Sequence, residues 1–348
     1  MKISTTVITG FLGAGKTTLI RDLLTSVNGR RIALIINEFG DLPIDGEILK
    51  GCGLEDCKDD DIVELANGCI CCTVGEDFVP TMTKILNRED RPDHIIIETS
   101  GLALPQPLVR AFRWPEIRNR AQLDGVIAVL DGLALSTGGV VSNTSAVDAQ
   151  RTADPMLDHE TALEDLLAHQ IEAADLLVLT KTDMLDEAGL KAARERAGSG
   201  HGAGKTVLES GRHVLTADAL LGLGLDPDRI MNGHEDDHHD DDHHEDDHEH
   251  VDFLSHVIDL PAVADPDTLA RAVKAAMESC DVYRVKGIAA VEDKDMRLII
   301  QGVGSRVQSH YDRDWRDDES RTTRLVFIGN AVGGADGLRS ALHRAIDG

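Results

Sequence analysis

The stretch Gly10-Phe11-Leu12-Gly13-Ala14-Gly15-Lys16-Thr17 has the spacing G-x-x-x-x-G-K-[ST]. It stands between an apolar run, Thr5-Thr6-Val7-Ile8-Thr9, and a segment with helical character that reaches about Val27. Strand, glycine-rich turn and helix in that order make a cradle for phosphate. The glycines let the backbone wrap an anion closely, and the first amides of the helix then point at it. Lys16 supplies a point charge to β- and γ-phosphates, and the Thr17 hydroxyl is a ligand for Mg²⁺. Gly10, Gly13, Ala14, Gly15 and Thr18 complete the phosphate-facing set. A glycine-rich turn that holds Lys-Thr by chance gives no reason for the flanking strand and helix.

A single strand and helix cannot bury their apolar faces alone, and the sequence supplies partners. Arg31–Asn37, Ile62–Leu65, His94–Glu98, Val126–Asp131 and Leu176–Thr180 read as further strands separated by helical segments. That alternation is the signature of a mostly parallel sheet with crossover helices, an α/β fold. His213–Thr216 is a candidate to close the sheet. The chemistry of such sheets sits beyond the carboxyl ends of the strands. The length of 348 residues allows about two domains. We expect a nucleotide-binding domain over 1–224, a linker over 225–250 and a small α+β domain over 251–348. In the last, Leu254–Leu260, Val282–Val285, Met296–Gly302 and Arg324–Gly329 read as strands, with helices over Asp267–Glu278 and 336–346.

Charge narrows the partners. Sixty-two acids against 35 bases give a net charge of −27, which argues against nucleic acid or an anionic membrane. Ten of those acids lie in 234–250 beside seven histidines, with no other residue type in the tract. Such a segment has nothing to pack and is expected to be a flexible linker that gathers metal loosely. The plainer alternative for a charge run, a solvated spacer, stays open there. No run of eighteen apolar residues is present, so no membrane span is expected. Met1–Ser4 passes straight into the first strand with no small-residue cleavage site, so a cytoplasmic protein is expected.

Two strand ends carry further chemistry. His94–Glu98 ends in Glu98-Thr99-Ser100-Gly101. Glu98 could hold the Mg²⁺ hydration shell, and the Gly101 amide could reach a γ-phosphate; taken alone, Glu98 is equally suited to capping a helix. Thr180-Lys181-Thr182-Asp183 is similar to the guanine-reading N-K-x-D with Thr180 in place of Asn. The Asp183 carboxylate can accept from guanine N1–H and the N2 amine, which adenine does not offer, and the Lys181 stem can cover the base. GTP is therefore the expected nucleotide.

Three of six cysteines fall within four positions, in Asn67-Gly68-Cys69-Ile70-Cys71-Cys72. In the cytoplasmic protein expected from the N-terminal residues this reads as reduced thiols and metal rather than bridges. Thiolates suit Zn²⁺, Co²⁺ and Cu⁺. Buried small apolar cysteine is the competing reading, more natural for the isolated Cys280. Cys52 and Cys57 are as consistent with accessory metal contacts as with plain loop residues.

Gly10–Thr17, Asn37–Asp41, Gly68–Cys72, Glu98–Gly101 and Thr180–Asp183, in this order, together resemble the CobW-type metallochaperone GTPases. The likeness covers nearly the whole chain and is nearer to the cobalamin-synthesis branch than to the zinc or nitrile-hydratase branches. It implies slow GTP hydrolysis coupled to delivery of Co²⁺ from Cys69, Cys71 and Cys72 to a cobaltochelatase or another metal-receiving protein. It also implies that Glu38 approaches the metal or Mg²⁺, with Lys16, Glu98 and Gly101 as the catalytic set. A nucleotide-dependent homodimer is compatible with it. A zinc chaperone or a metal buffer of the same family is the alternative. Thiolates bind Zn²⁺ more tightly than Co²⁺, so cobalt selectivity could not come from raw affinity.

Overall fold

A computed structural model describes residues 2–27, 29–36, 62–64, 78–145, 147, 162–211, 215–223, 254–304, 306–316, 319–329 and 333–347. The chain forms two compact units, divided between Asp237 and His238. Among the described residues, no helix is long and apolar enough to cross a membrane.

The first unit holds seven strands, β1 (Ile3–Thr9), β2 (Ile32–Ile36), β3 (Ile62–Glu64), β4 (His94–Glu98), β5 (Ala121–Asp131), β6 (Leu176–Thr180) and β7 (Thr206–Glu209). Their order is β3-β2-β4-β1-β5-β6-β7, and every pairing is parallel. β1 is central and buried almost throughout, its threonines included, while β2, Ile-Ala-Leu-Ile-Ile, is the continuous apolar run expected of a strand covered on both faces. The helices that carry or brace the site are α1 (Lys16–Leu24), α2 (Val79–Leu86), α3 (Gln106–Ala111), α4 (Leu163–Ala173) and α5 (Glu187–Ala197). Val7, Ile35, Ile97, Ala128 and Leu179 from the strands share one core with Met82 and Ile85 of α2 and Ala193 of α5. Each fully buried Leu, Ile, Val or Met is worth about 1.5–3 kcal/mol, so this core is what can hold a charged site at its edge.

Register aligns that edge. Glu98 lies beside Ile8 of β1 and Ile36 of β2, and Asp131 lies beside Thr180. Thr9, Glu98, Asp131 and Thr180 thus end their strands on one side of the sheet. Near the opposite end, buried Asp124 accepts from the Thr6 hydroxyl at 3.2 Å and from the Gly222 and Leu223 amides at 2.5 and 2.9 Å. These bonds explain how β5 starts at Ala121, five residues before the expected Val126, with a carboxylate inside it.

The sheet does not close on the expected strand. β7 at Thr206–Glu209 takes that place; Leu215 and Thr216 are not in a strand, and His213 and Val214 lie outside the described residues. The pair Thr206-Val207, β-branched and following Gly204, satisfies strand preference where the apolar share is too low to stand out. Val207 packs on the edge of the core, with Leu208 buried.

The second unit is a five-stranded antiparallel sheet in the order β11-β10-β9-β12-β8. Its strands are β8 (Leu254–Leu260), β9 (Val282–Ala289), β10 (Met296–Val303), β11 (Arg306–Asp314) and β12 (Thr323–Gly329). Helices α6 (Pro266–Ser279) and α7 (Gly334–Asp347) pack together against it. Leu269, Ala272, Val273, Ala276 and Met277 give α6 its buried stripe, at the i, i+3, i+4, i+7 spacing of one helix face. Asp265 caps the helix by accepting from the Thr268 amide at 2.9 Å. β11 is absent from the sequence reading. Val307 and Tyr311 are the only apolar residues of a strand at the sheet edge, where one side is paired and the other meets water. Cys280 is buried in this core, as its isolated position implied.

Candidate nucleotide site

The loop from β1 to α1 turns on backbone that few side chains tolerate. Gly15 caps α1 in the left-handed region at φ 97°, and no side chain caps the helix there. The first amides of α1 are thereby aimed at the loop interior, the direction from which an anion would meet them. Lys16 is buried, and its Nζ donates to the Phe11 carbonyl at 3.2 Å and lies 4.0 Å from Glu98 Oε1. Thr17 Oγ1 donates to the same Glu98 oxygen at 3.2 Å. A hydroxyl and a carboxylate converging in this way form a hard oxygen donor set, which fits Mg²⁺ rather than a soft ion.

Gly101 approaches the loop from β4. A β-carbon there would come within 2.4 Å of the Leu12 amide nitrogen and 3.0 Å of its Cα. Only glycine allows that approach, because both contacts are to backbone that cannot step aside. The Thr99 hydroxyl donates to Thr9 Oγ1 at 3.0 Å, fastening the end of β4 to the end of β1.

The other side of the site is built at the end of β6. Thr180 Oγ1 lies 2.6 Å from the Ala14 carbonyl and 3.1 Å from that of Leu130, so its single proton is shared between the phosphate loop and β5. Lys181 adopts φ 57° and sends its Nζ to Asp131 Oδ2 at 2.6 Å. Burial pushes the Asp131 carboxyl up, but hydrogen bonds from Lys181, Ser142 and the Ala134 amide outweigh it and hold it below the usual carboxylate range. The Thr182 hydroxyl donates to the Ser210 carbonyl at 2.9 Å. Asp183 is exposed, and its Oδ1 is 2.5 Å from where a β-carbon on Gly211 would stand.

The structure brings together Gly10, Gly13, Ala14, Gly15, Lys16, Thr17, Glu98, Gly101 and Thr180, with Lys181 and Asp183 at the same sheet edge. Thr18 is exposed on the first turn of α1. Glu38, Cys52, Cys57, Cys69, Cys71, Cys72 and the tract 234–250 lie outside the described residues. Among the described residues there is no group of three His, Cys, Asp or Glu placed to hold a metal ion. Sequence reasoning missed Asp131 as the partner of Lys181 and the Ser210–Gly211 turn that flanks Asp183. The strand-ending Asp131 is visible in sequence, but nothing local says which cation it meets fifty residues on.

A parallel sheet with a phosphate loop, a Thr–Glu oxygen pair and a lysine–aspartate strand end defines a P-loop nucleotide-binding protein. Residues 4–208 match the family described as CobW/HypB/UreG, nucleotide-binding domain, and residues 253–346 match the cobalamin synthesis protein cobW C-terminal domain. The chain belongs to this family, and it is a GTPase of the CobW type, a group of GTP-dependent metal chaperones. It is 52% identical to "Zinc chaperone CobW" of Sinorhizobium, over 94% of this chain and 93% of that one. It is 46% identical to "Zinc chaperone CobW" of Pseudomonas aeruginosa, over 98% and 92%. It is 30% identical to "Zinc chaperone YjiA" of Escherichia coli, over 94% of each.

Proposed function

We propose that this protein is a cytoplasmic zinc chaperone that loads Zn²⁺ onto Cys69, Cys71 and Cys72 and releases it to a recipient protein on GTP hydrolysis. The observation that carries the GTP half is the convergence of Lys16, Thr17 and Glu98 under the phosphate loop. The metal half is supported by three thiols between β3 and α2, by the preference of thiolate for Zn²⁺ over Co²⁺, and by the names of the similar chaperones. Reduced thiols persist in the cytoplasm, so the cluster is a metal site there rather than a disulfide.

In this reading the amides of Gly10–Gly15 and the head of α1 cradle the phosphates with Lys16, while Thr18 borders the α-phosphate. Thr17 and Glu98 would hold Mg²⁺, and the ion would supply positive charge to offset that of the phosphates. Gly101 presents its amide to the γ-phosphate. Asp183 reads guanine and Lys181, anchored on Asp131, covers the base. Glu38 and the thiols lie in the chain between the cradle and Glu98, where γ-phosphate sensing can open or close the metal site. The GTPase domain is 1–224, residues 225–250 are a collecting linker, and 251–348 is a separate small α+β domain.

Cobalt delivery to a cobaltochelatase is the second reading, favoured by the cobalamin-synthesis family match of residues 253–346. Competition of Zn²⁺ against Co²⁺, run with GTP·Mg²⁺ and again with GDP, separates the two. Tighter Zn²⁺ binding with GTP than with GDP supports the zinc chaperone. A preference for Co²⁺ only in the GTP state supports the cobalt reading. Affinity that ignores the γ-phosphate makes the protein a buffer.

A further inference from the structure

Gln170 of α4 is wholly buried, between Leu166 and Ala173 on the inner face of its helix. Its Nε2 donates to the Gly101 carbonyl at 3.1 Å and to the Ala103 carbonyl at 3.3 Å. Gln106, at the start of α3, makes the reverse contact, donating Nε2 to the His169 carbonyl at 3.1 Å. The loop from Gly101 to Gln106 is therefore fastened to α4 at three points. Among the described residues, both glutamines leave a buried Oε1 with no hydrogen-bond partner. A buried acceptor left unpaired is unfavourable, and glutamine carries one that a simple donor does not need.

We propose that Gln170 is a positioning residue for the loop that senses the γ-phosphate, holding the peptide that joins Gly101 to Leu102 in one of two arrangements. Both amide protons of Gln170 are spent on the loop carbonyls in the arrangement seen. The unpaired Oε1 is the acceptor that a loop N–H takes up in the other. Gly101, with no β-carbon, lets that peptide turn between them, and a γ-phosphate at the N–H on the other side of the same Cα selects one. α4 ends at Ala173 and, after Ala174 and Asp175, the chain enters β6, which ends at Thr180 just before Lys181–Asp183, so the same helix ties the phosphate-sensing loop to the base-reading end. This inference rests on the proposed role of the Gly101 amide.

The test uses the full-length protein with Mg²⁺ and compares GDP with a non-hydrolysable GTP analogue by fluorescence titration, alongside GTP turnover. Gln170→Met keeps the side-chain length and removes both donors. Gln170→Glu replaces them with a carboxyl that can donate only when protonated, and burial raises the pH at which that happens. Both variants should keep GDP affinity within about twofold of the parent while analogue affinity falls about tenfold and kcat falls with it. Turnover of Gln170→Glu should recover in part as pH drops from 8 towards 6, whereas Gln170→Met stays flat relative to the parent. Equal loss for both nucleotides means a purely structural role and overturns the inference, as does unchanged discrimination in both variants. A parent protein that binds GDP and the analogue equally would overturn the Gly101 reading and this inference with it.

Discussion

Thr180 Oγ1 stands 2.6 Å from the carbonyl oxygen of Ala14, joining the end of β6 to the loop between β1 and α1 across 166 positions of chain. The hydroxyl is buried, so water cannot replace the bond if it is lost. Thr180→Val keeps the shape and strips the donor from two carbonyls. An unpaired buried polar group costs about 1–3 kcal/mol, so GTP affinity should fall about tenfold or more. Because the broken contact is to the phosphate loop, GDP and GTP should weaken together. Isothermal titration showing loss for GTP alone would place Thr180 on the γ-phosphate side instead.

Asp183→Asn tests the proposed reading of the base apart from the phosphate loop. The amide that replaces the acceptor-only carboxylate offers a donor where guanine N1–H also donates. Discrimination of GTP over ATP should shrink, while the affinity owed to the phosphates that both nucleotides share is kept. Competition between the two nucleotides measures it, and a preference as strong as in the parent would remove Asp183 from guanine reading.

Gly101→Ala forces a β-carbon to within 2.4 Å of the Leu12 amide. The loop must withdraw, since neither backbone can yield at low cost. Turnover should drop by at least about tenfold, equivalent to 1.4 kcal/mol, with GDP binding preserved. Stopped-flow binding and single-turnover hydrolysis distinguish this from general damage; intact turnover would show that the Gly101 approach is not part of the working site.

Asp131 gives a pH test. Its carboxyl titrates below the ordinary 3.8 in the folded protein, with burial opposing and the Lys181, Ser142 and Ala134 bonds prevailing. A depressed folded value means that the stabilisation is present above the unfolded value and is lost as pH falls through the folded one. Asp131→Asn should therefore be less stable than the parent at pH 6, and the gap should close below about pH 4. Urea denaturation at a series of pH values reads the difference. A gap that stays constant down to pH 3 would mean that the ion pair contributes nothing.

The site is legible in sequence wherever its chemistry is local. Gly10–Thr17 announces itself because turn, charge and helix start are consecutive, and Glu98 because a carboxylate ends an otherwise apolar strand. Contacts between distant segments are not legible: Thr180 to Ala14, Lys181 to Asp131 and Gln170 to Gly101 depend on strand order and register, which no short window encodes. The fold fails to show at its edges for a related reason. β7 and β11 are half solvated, so hydrophobic pattern, the main signal for a strand, is weakest there. Beside the guanine-reading motif Thr180 is only a substitute for asparagine, and its bond to the phosphate loop shows a role that the motif does not supply.

Co²⁺ bound by thiolate gives a charge-transfer absorption that Zn²⁺ lacks, so it reports ligands even where zinc is the cargo. Replacing Cys71 and Cys72 with Ala together leaves Cys69 as the one thiolate of the cluster, too few for a tetrahedral site that needs three or four protein ligands. The absorption should vanish and tight Zn²⁺ binding should fall by at least about a hundredfold, nearly 3 kcal/mol. GTP affinity should stay near the parent's, because Lys16, Thr17 and Glu98 draw on other elements. Loss of ligands must also uncouple the two halves, so that added Zn²⁺ no longer alters GTP turnover. If the absorption survives, the metal sits elsewhere, with Cys52 and Cys57 the next thiols to replace. If it vanishes but Zn²⁺ still changes turnover, the imidazoles of 234–250 carry the coupled site, and deleting that tract from the double variant should abolish the response.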